Sequence, residues 1–195
     1  MEARRKISKR DSIIEAAIEV FSQKGYHNTR MEEIAIAAGA GKGTIYEYFS
    51  SKMELFHDIL LTGWRKIEED ISVDEMASRP VAEQLLHMLS GHLRYFQQNR
   101  QLTRVTICEV KTIDQELVEW ALQMKEEKEK QVCSMIAAGI ERGELRPDLD
   151  IDIVSRMICS LIPYFASYVV MNDLDLDSYR LADQISAVIL TGIKK

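Results

Sequence analysis

Residues 29–52 constrain the fold of this chain more than any other stretch, because they encode two short helices joined by a glycine turn. Thr29 and Glu32 have the spacing of a capping box, which predicts a helix beginning at Arg30. Gly39 stands where a helix commonly closes in the left-handed conformation, and residues 42–48 can form a second short helix. The pattern predicts a helix-turn-helix, whose second helix lies in the major groove of DNA.

The residues after this turn predict a further helix. Ser51 and Glu54 form a second capping box, so this helix is expected to begin at Lys52. Small side chains in the turn region would let the two short helices cross closely; they are Ala35, Ala38, Gly39 and Gly43.

Spaced motifs between Phe21 and Phe56 agree with one known pattern. They are Gly25-Tyr26, Thr29, Ile34-Ala35, Ala38-Gly39, Lys42-Gly43-Thr44-Ile45-Tyr46, Tyr48-Phe49 and Ser51-Lys52. On these residues the chain resembles the DNA-binding domain of TetR-family transcriptional regulators. The resemblance covers about the first 56 residues, and the remainder is similar to the family only in length and helical pattern.

The resemblance implies an all-α fold with two parts. Residues 1–51 would form a three-helix, helix-turn-helix DNA-binding domain. Residues 52–195 would form a helical domain for ligand binding and dimerisation. A protein of this kind is a cytoplasmic, DNA-binding transcriptional regulator.

The resemblance also implies a role for each position of the reading helix. Lys42 and Tyr46 would approach phosphates or base edges, and Gly43 would let the backbone come close to DNA because it has no Cβ. Thr44 would bind a phosphate or touch a thymine methyl group, and Tyr48 would lie on the DNA backbone. Further phosphate contacts would come from helix starts, at Thr29, Arg30 and Lys52.

Two positions depart from the family pattern. Gly41 replaces the common Ser or Thr; it caps nearly as well as serine but offers no hydroxyl to DNA. Glu47 places an acid within the reading helix, where it either points away from DNA or accepts a hydrogen bond from a cytosine amino group.

The charge distribution fits DNA contact through one end of the molecule. The net charge is −6, but residues 1–52 hold nine Lys/Arg and seven Asp/Glu, whereas the rest holds sixteen and twenty-four. A weakly basic head on an acidic body is therefore expected. The terminal cations Arg4, Arg5 and Lys6 are either a solvated end or an arm that reaches phosphates.

The remainder of the chain reads as helices with short connectors. Pro80 suits the first turn of a helix, Asp114 can cap one, and Gly143 can close one. Pro163 is expected to kink the helix that contains it. The predicted helices cover 9–24, 52 to about 71, 81 to about 98, 101–112, 114–142, 149–171 and 178–193.

By resemblance, the last two helices pair with their copies in a second subunit as a four-helix bundle. A two-fold dimer matches a palindromic operator. The longest uncharged run, residues 157–172, has sixteen residues. A membrane-spanning helix needs about 20, so this run is interpreted as a core helix and no membrane partner is expected.

Apolar and sulfur-containing side chains of the body could line a pocket with few polar groups, which suits a small hydrophobic or amphipathic ligand. For any one of them, simple core packing is the more common explanation. The candidates are Met88, Tyr95, Cys108, Trp120, Met124, Phe165 and Tyr168.

No catalytic, metal or cofactor motif stands out. His87 and His92 are five residues apart, which sets them about 140° apart around a helix. Cys108, Cys133 and Cys159 form no paired motif, so a reducing compartment is the expected setting.

The sequence therefore predicts a homodimeric, ligand-responsive repressor, and an activator fits the same pattern. Two alternatives stay open. One is a helical lipid- or drug-binding module with weak DNA affinity, suggested by Glu47 and the small positive charge of the head. The other is a helical enzyme with an inherited DNA-binding head, which would need a catalytic acid–base pair.

Overall fold

The computed structural model describes residues 8–70, 76–105 and 115–195. The arm at Arg4, Arg5 and Lys6, the ligand candidate Cys108 and the predicted cap Asp114 lie outside the described residues. The helices are α1 (Lys9–Lys24), α2 (Met31–Ala37), α3 (Lys42–Tyr48), α4 (Lys52–Asp70), α5 (Val81–Gln98), α6 (Gln115–Glu141), α7 (Ile151–Met171) and α8 (Ser178–Ile193).

The all-α prediction is confirmed. Within the described ranges the extended pairing is limited to one isolated antiparallel bridge, between Leu145 and Lys194. The predicted bounds of α5 and α8 match the observed ones, because proline or aspartate begins each helix and the apolar spacing sets its length.

Glycine closes the first two helices, as the sequence predicts. α1 begins with a reciprocal cap, in which the Asp11 amide donates to Ser8 Oγ over 3.1 Å and the Ser8 amide donates to Asp11 Oδ2 over 3.3 Å. It ends at Gly25, with φ of +76°, and the chain leaves α2 through Gly39, with φ of +57°. A side chain at either position would be strained, since these φ values favour glycine.

An aromatic cluster holds α1, the turn after it and α4 together. The ring of Tyr26 lies 5.6 Å from Phe21 and 5.1 Å from Phe56, and the Phe21 and Phe56 rings are 5.5 Å apart. Tilted and edge-to-face arrangements at these distances add to the burial of apolar area. The buried side chains of Ile45 and Phe49 attach α3 to the same core, so the head is one packed unit.

The body packs α5 against α7 and α8, and α6 against α7. The connector after α6 binds both the start of α5 and the end of α8. The Val81 amide donates to Glu144 Oε2 over 2.6 Å, and the Arg146 amide donates to the Ile193 carbonyl over 3.0 Å. These two hydrogen bonds hold the start of α5 and the end of α8 against the same connector.

Residues 100–105, which are helical, contact both the head and the end of α7. Leu102 and Val105 are buried in the same apolar cluster as the head. On the other side, Arg104 Nη2 lies 2.5 Å from Asp173 Oδ1, at the turn between α7 and α8. This segment is a direct link between the head and the last two helices.

α7 combines a buried face with an exposed apolar face. It continues through Pro163, and Ile158, Ile162 and Ala166 are buried against the body. By length and composition alone α7 could cross a membrane, but one such helix is weak evidence, because core helices of soluble proteins pass the same test. Its outer face exposes large apolar side chains, namely Ile153, Met157, Tyr164, Tyr168 and Met171.

Candidate nucleic-acid interface

α3 presents one face to the core and the other to solvent. Ile45 is fully buried and anchors the helix. Its opposite face is exposed, with Tyr46 at 43% and Tyr48 at 42% relative exposure. Tyrosine combines an apolar ring with a hydroxyl group, so two exposed tyrosines make the face suited to binding. The exposed residues on it are Lys42, Gly43, Tyr46, Glu47 and Tyr48.

The start of α3 is accessible, because two of the three residues 41–43 are glycines without side chains. Gly41 is its N-cap, as predicted, and the Ile45 amide donates to the Gly41 carbonyl over 3.2 Å. A Cβ placed on Gly43 would meet no other atom within 4 Å. Glycine is thus not required here by packing, and its lack of a side chain leaves room for close approach by another molecule.

Lys42 forms an ion pair across the turn with Glu32. Its Nζ lies 2.7 Å from Glu32 Oε1, and both side chains are exposed. The hydrogen bond from Lys42 lowers the pKa of Glu32, and the same bond raises the pKa of Lys42. The cation at the start of the reading helix is therefore already matched by a carboxylate from α2.

The predicted capping box of Thr29 and Glu32 is wrong. α2 begins one residue later, with Arg30 as N-cap, and the Arg30 amide donates to Glu33 Oε2 over 2.9 Å. Thr29 is 2% exposed, and its hydroxyl donates to the Gly25 carbonyl over 2.8 Å. Its hydroxyl therefore donates to the protein in this structure, and the predicted phosphate contact stays a prediction.

In the second predicted capping box, Ser51 and Glu54, one hydrogen bond is as predicted and the other has a different partner. The Glu54 amide donates to Ser51 Oγ over 3.0 Å, as a cap requires. The Glu54 carboxylate, however, accepts from the Ser50 amide over 2.7 Å and from its hydroxyl over 2.6 Å. The turn between α3 and α4 is fixed by both serines.

Lys52 has an internal role that differs from the predicted phosphate contact. Its Nζ donates to the carbonyl oxygens of Tyr26 over 2.6 Å and Thr29 over 2.8 Å. The ammonium also lies 4.3 Å from the centre of the Tyr26 ring. Lys52 thus joins the start of α4 to the turn between α1 and α2.

The sequence reasoning missed a comparable role for Lys9. The Lys9 Nζ donates to the Gly39 carbonyl over 2.8 Å and to the Ala38 carbonyl over 3.4 Å. These carbonyls close α2, so Lys9 fixes the turn that presents α3. A single lysine at a helix start carries no sequence signal for such a contact.

The predicted ligand residues belong to different parts of the fold. Trp120 packs on the head core, with its ring 5.5 Å from the His57 ring. Met88 is buried in the body core, whereas Tyr168 is 49% exposed. Of the others, Tyr95 is buried, and Met124 and Phe165 are half-buried.

The burial of one histidine of the body was not predicted from the sequence. His92 is 4% exposed, and its Nδ1 donates to the Met88 carbonyl over 2.7 Å. Burial lowers the pKa of His92 to about 4, and the positive charge of Lys128 acts in the same direction. His92 is therefore neutral at pH 7. Within residues 8–70, 76–105 and 115–195 no three His, Cys, Asp or Glu side chains are grouped so that they could hold a metal ion.

The short helices, the tight turn and the exposed face of α3 define a helix-turn-helix DNA-binding protein. Family profiles agree with this class. The profile of bacterial regulatory proteins of the tetR family matches residues 13–59, and that of the YsiA-like protein C-terminal region matches residues 49–192. The chain belongs to the TetR family of bacterial regulatory proteins.

Individual relatives match most of the chain. A fatty acid metabolism regulator protein of Bacillus subtilis strain 168 is 29% identical over 185 residues, which is 93% of each chain. The solved structure of FadR from Bacillus subtilis in complex with stearoyl-CoA has a TM-score of 0.79 and 27% identity, covering 93% of this chain and 98% of its own.

A second solved relative is the fatty acid degradation regulator FadR from Bacillus halodurans. Its TM-score is 0.81 at 25% identity, covering 96% of this chain and 97% of its own. These relatives are transcriptional regulators. The protein is therefore a DNA-binding transcriptional regulator and not an enzyme, which removes the enzyme alternative.

Proposed function

We propose that the protein is a homodimeric repressor that an amphipathic acyl ligand releases from a palindromic operator. The observation that carries the DNA-binding part is the exposed face of α3 beside an otherwise packed head. In this proposal residues 1–51 read DNA and residues 52–195 bind ligand and dimerise, in the cytoplasm.

The proposed DNA contacts follow the exposed side chains. Tyr46 and Thr44 would meet base edges or phosphates, and Gly43 would let the helix backbone approach the groove wall. Lys42, Arg30 and Tyr48 would bind the DNA backbone, which supplies much of the affinity and little of the specificity. Glu47 shares the exposed face and would read a cytosine amino group. Thr29 and Lys52 are left out because their polar atoms bind carbonyl groups of the head.

The proposed dimer uses the exposed apolar faces of α7 and α8. Met157, Tyr164 and Met171 on α7 are each more than half exposed, and Val188 on α8 is 77% exposed. Apolar area of this extent is unfavourable in water, and burying it against a second copy would remove it. A two-fold axis through these helices would hold two α3 helices at a fixed spacing.

The proposed ligand class is a long-chain acyl-CoA thioester. The support is the FadR relative, whose structure contains stearoyl-CoA. The acyl chain would enter among apolar side chains of the body, for which Met88, Met124 and Phe165 remain candidates. Release would follow if the ligand binds more tightly to a dimer whose reading helices are wrongly spaced.

The test uses labelled DNA flanking the protein's own gene. Fluorescence anisotropy would follow the preformed complex while stearoyl-CoA, coenzyme A or stearate is added. We expect release by stearoyl-CoA and retention with the other two. If calorimetry showed stearoyl-CoA bound while the complex stayed intact, the proposed mechanism would be rejected.

The lipid- or drug-binding module with weak DNA affinity remains the second candidate. The Lys42–Glu32 ion pair favours it, because a matched cation contributes less attraction to DNA. That candidate predicts tight binding of stearoyl-CoA together with DNA affinity no higher for the flanking DNA than for random DNA.

A further inference from the structure

Lys42 is the one cation of α3, and its ammonium group forms an ion pair with Glu32 of α2. α3 has the sequence Lys-Gly-Thr-Ile-Tyr-Glu-Tyr, so its other charge is Glu47. The Lys42 ammonium lies 2.7 Å from the Glu32 carboxylate, and their side chains are 69% and 45% exposed. The pair therefore sits at the surface that is expected to face DNA, not in the core.

Glu32 lies in the first turn of α2, where an acid is favourable, but it does not form the cap of that helix. The cap of α2 is formed by Glu33, which accepts from the Arg30 amide over 2.9 Å. Glu33 also pairs with Lys24 at 2.6 Å, on the side of α1. Glu32 contacts the start of the reading helix instead, and its partner there is Lys42.

Other cations of the head also have partners within it. Arg10 pairs with Asp58, whereas Lys9 and Lys52 donate to backbone carbonyls. The partner of Lys42 is more exposed, since the Glu32 side chain is 45% exposed and that of Asp58 is 22% exposed. Exposed pairs of this kind are weak and are screened by salt, so a DNA phosphate can displace Glu32 from Lys42.

We propose that Glu32 competes with DNA phosphate for Lys42 and so limits the affinity of the head for DNA of any sequence. The inference rests on the proposed contact between Lys42 and a phosphate. When the phosphate takes Lys42, the ion pair between Lys42 and Glu32 is broken. The loss of that pair opposes binding and does not depend on base sequence, because phosphates carry no sequence information.

The competition acts on affinity and leaves sequence preference unchanged. It lowers the affinity for operator and for random DNA by the same factor, so the ratio of specific to non-specific binding stays the same. The base contacts of α3 set that ratio. Glu32 thus limits how tightly the head holds any DNA, and it acts through Lys42 without touching a base.

The test compares Glu32→Gln, Lys42→Gln and the double variant with the wild type by anisotropy on flanking DNA and on a random duplex. Glu19→Gln, an exposed acid of α1, is the charge-matched control. Removing Glu32 should tighten binding to both duplexes, roughly three- to tenfold at low salt and less at high salt. Lys42→Gln should weaken binding and lower the salt slope by about one.

The double variant decides between competition and simple repulsion. Competition predicts that Glu32→Gln adds little once Lys42 is gone, so the double variant should match Lys42→Gln. An equal gain in both backgrounds, or no gain from Glu32→Gln while Lys42→Gln weakens binding, would overturn the inference and leave the proposed function intact. Absence of DNA binding in the wild type and Glu32→Gln alike would overturn both.

Discussion

Lys52 lies against Tyr26 from two directions: its Nζ donates to the Tyr26 carbonyl over 2.6 Å, and its ammonium lies 4.3 Å from the centre of the Tyr26 ring. The Tyr26 ring in turn packs on Phe21 and Phe56. A cation, a turn and an aromatic core are therefore joined at the point where α4 leaves the head. This contact makes Lys52 a structural residue of the DNA-binding unit.

Replacing Lys52 with Met should destabilise the protein. The variant keeps most of the aliphatic side chain and loses a charged donor to two carbonyls as well as a cation–π contact. We expect the free energy of unfolding to fall by about 2 kcal/mol, measured by urea denaturation.

Lys42→Met is the matched control for that experiment. Its ammonium is exposed and meets only Glu32 among the described contacts, so the unfolding midpoint should stay near that of the wild type. Operator affinity should nonetheless fall. Equal stability of the two variants would contradict the structural role of Lys52.

Gly139 of α6 packs against Val81 at the start of α5 and against Leu145. A Cβ at this position would lie 2.5 Å from Val81 Cγ2 and 2.9 Å from Leu145 Cδ1. Val81 is stiff at χ1 and is held by Glu144, so it cannot easily move. Gly139→Ala should lower the free energy of unfolding by about 1–2 kcal/mol, despite the better helix propensity of alanine.

Gly192→Ala provides the comparison on α8. A Cβ there meets no other atom within 4 Å, so only the helix propensity acts, and the variant should be up to about 1 kcal/mol more stable. Thermal unfolding of both variants distinguishes steric conflict from propensity. A stabilising Gly139→Ala would show that α5 and α6 are farther apart than described.

His92 should make the protein less stable as the pH falls. Its pKa is about 4 in the folded protein and near 6.5 when unfolded, so between these values the unfolded chain binds the additional proton. The free energy of unfolding should therefore decrease from pH 6.5 to pH 4, by about 3 kcal/mol, and this contribution should level off below pH 4. Urea denaturation across this range, compared with His92→Leu, isolates the effect. A variant with an unchanged pH dependence would rule out His92 as its source.

Charges on the exposed face of α7 and α8 should break the proposed dimer. Tyr164→Asp and Val188→Asp each place a carboxylate at a side chain that is 65% or 77% exposed in the single chain. We expect both to elute as folded monomers in size-exclusion chromatography with light scattering. Operator affinity should drop roughly tenfold or more, because two half-sites are no longer bound together.

Leu122→Asp is the control for that prediction. Leu122 is 59% exposed on α6, outside the proposed interface. This variant should keep the mass and the operator affinity of the wild type. Loss of dimers in all three variants, or in Leu122→Asp alone, would contradict the assignment to α7 and α8.

The helices were predictable because their signals are local. Gly25 and Gly39 close α1 and α2 as expected, and Pro80 and Asp177 set the starts of α5 and α8. The buried face of α3 followed from Ile45 and Phe49 in the same way. Such features depend on glycine at positive φ, on capping residues and on apolar spacing, and each of these can be recognised in a short stretch of sequence.

The errors arose where two local patterns overlapped or where contacts are long-range. Thr29–Glu32 and Arg30–Glu33 both have the spacing of a cap, and the hydrogen bond from Thr29 to Gly25 decides between them. The sequence around Lys52 gives no sign of its internal contacts, because the Tyr26 carbonyl that it binds lies 26 residues earlier in the chain. Trp120 stays a predicted ligand residue, but its contact with His57 could not be predicted, because tertiary packing brings the start of α6 against α4.

The most direct test of the account is the affinity of the protein for DNA flanking its own gene. Fluorescence anisotropy would compare wild type and Tyr46→Ala, with excess random competitor, at two salt concentrations. We predict tight, competitor-resistant binding by the wild type that weakens with salt, and loss of that preference in Tyr46→Ala without loss of thermal stability. Binding of the wild type no tighter than to random DNA, or an unchanged preference in Tyr46→Ala, would contradict the assignment of α3 as the reading helix for that DNA.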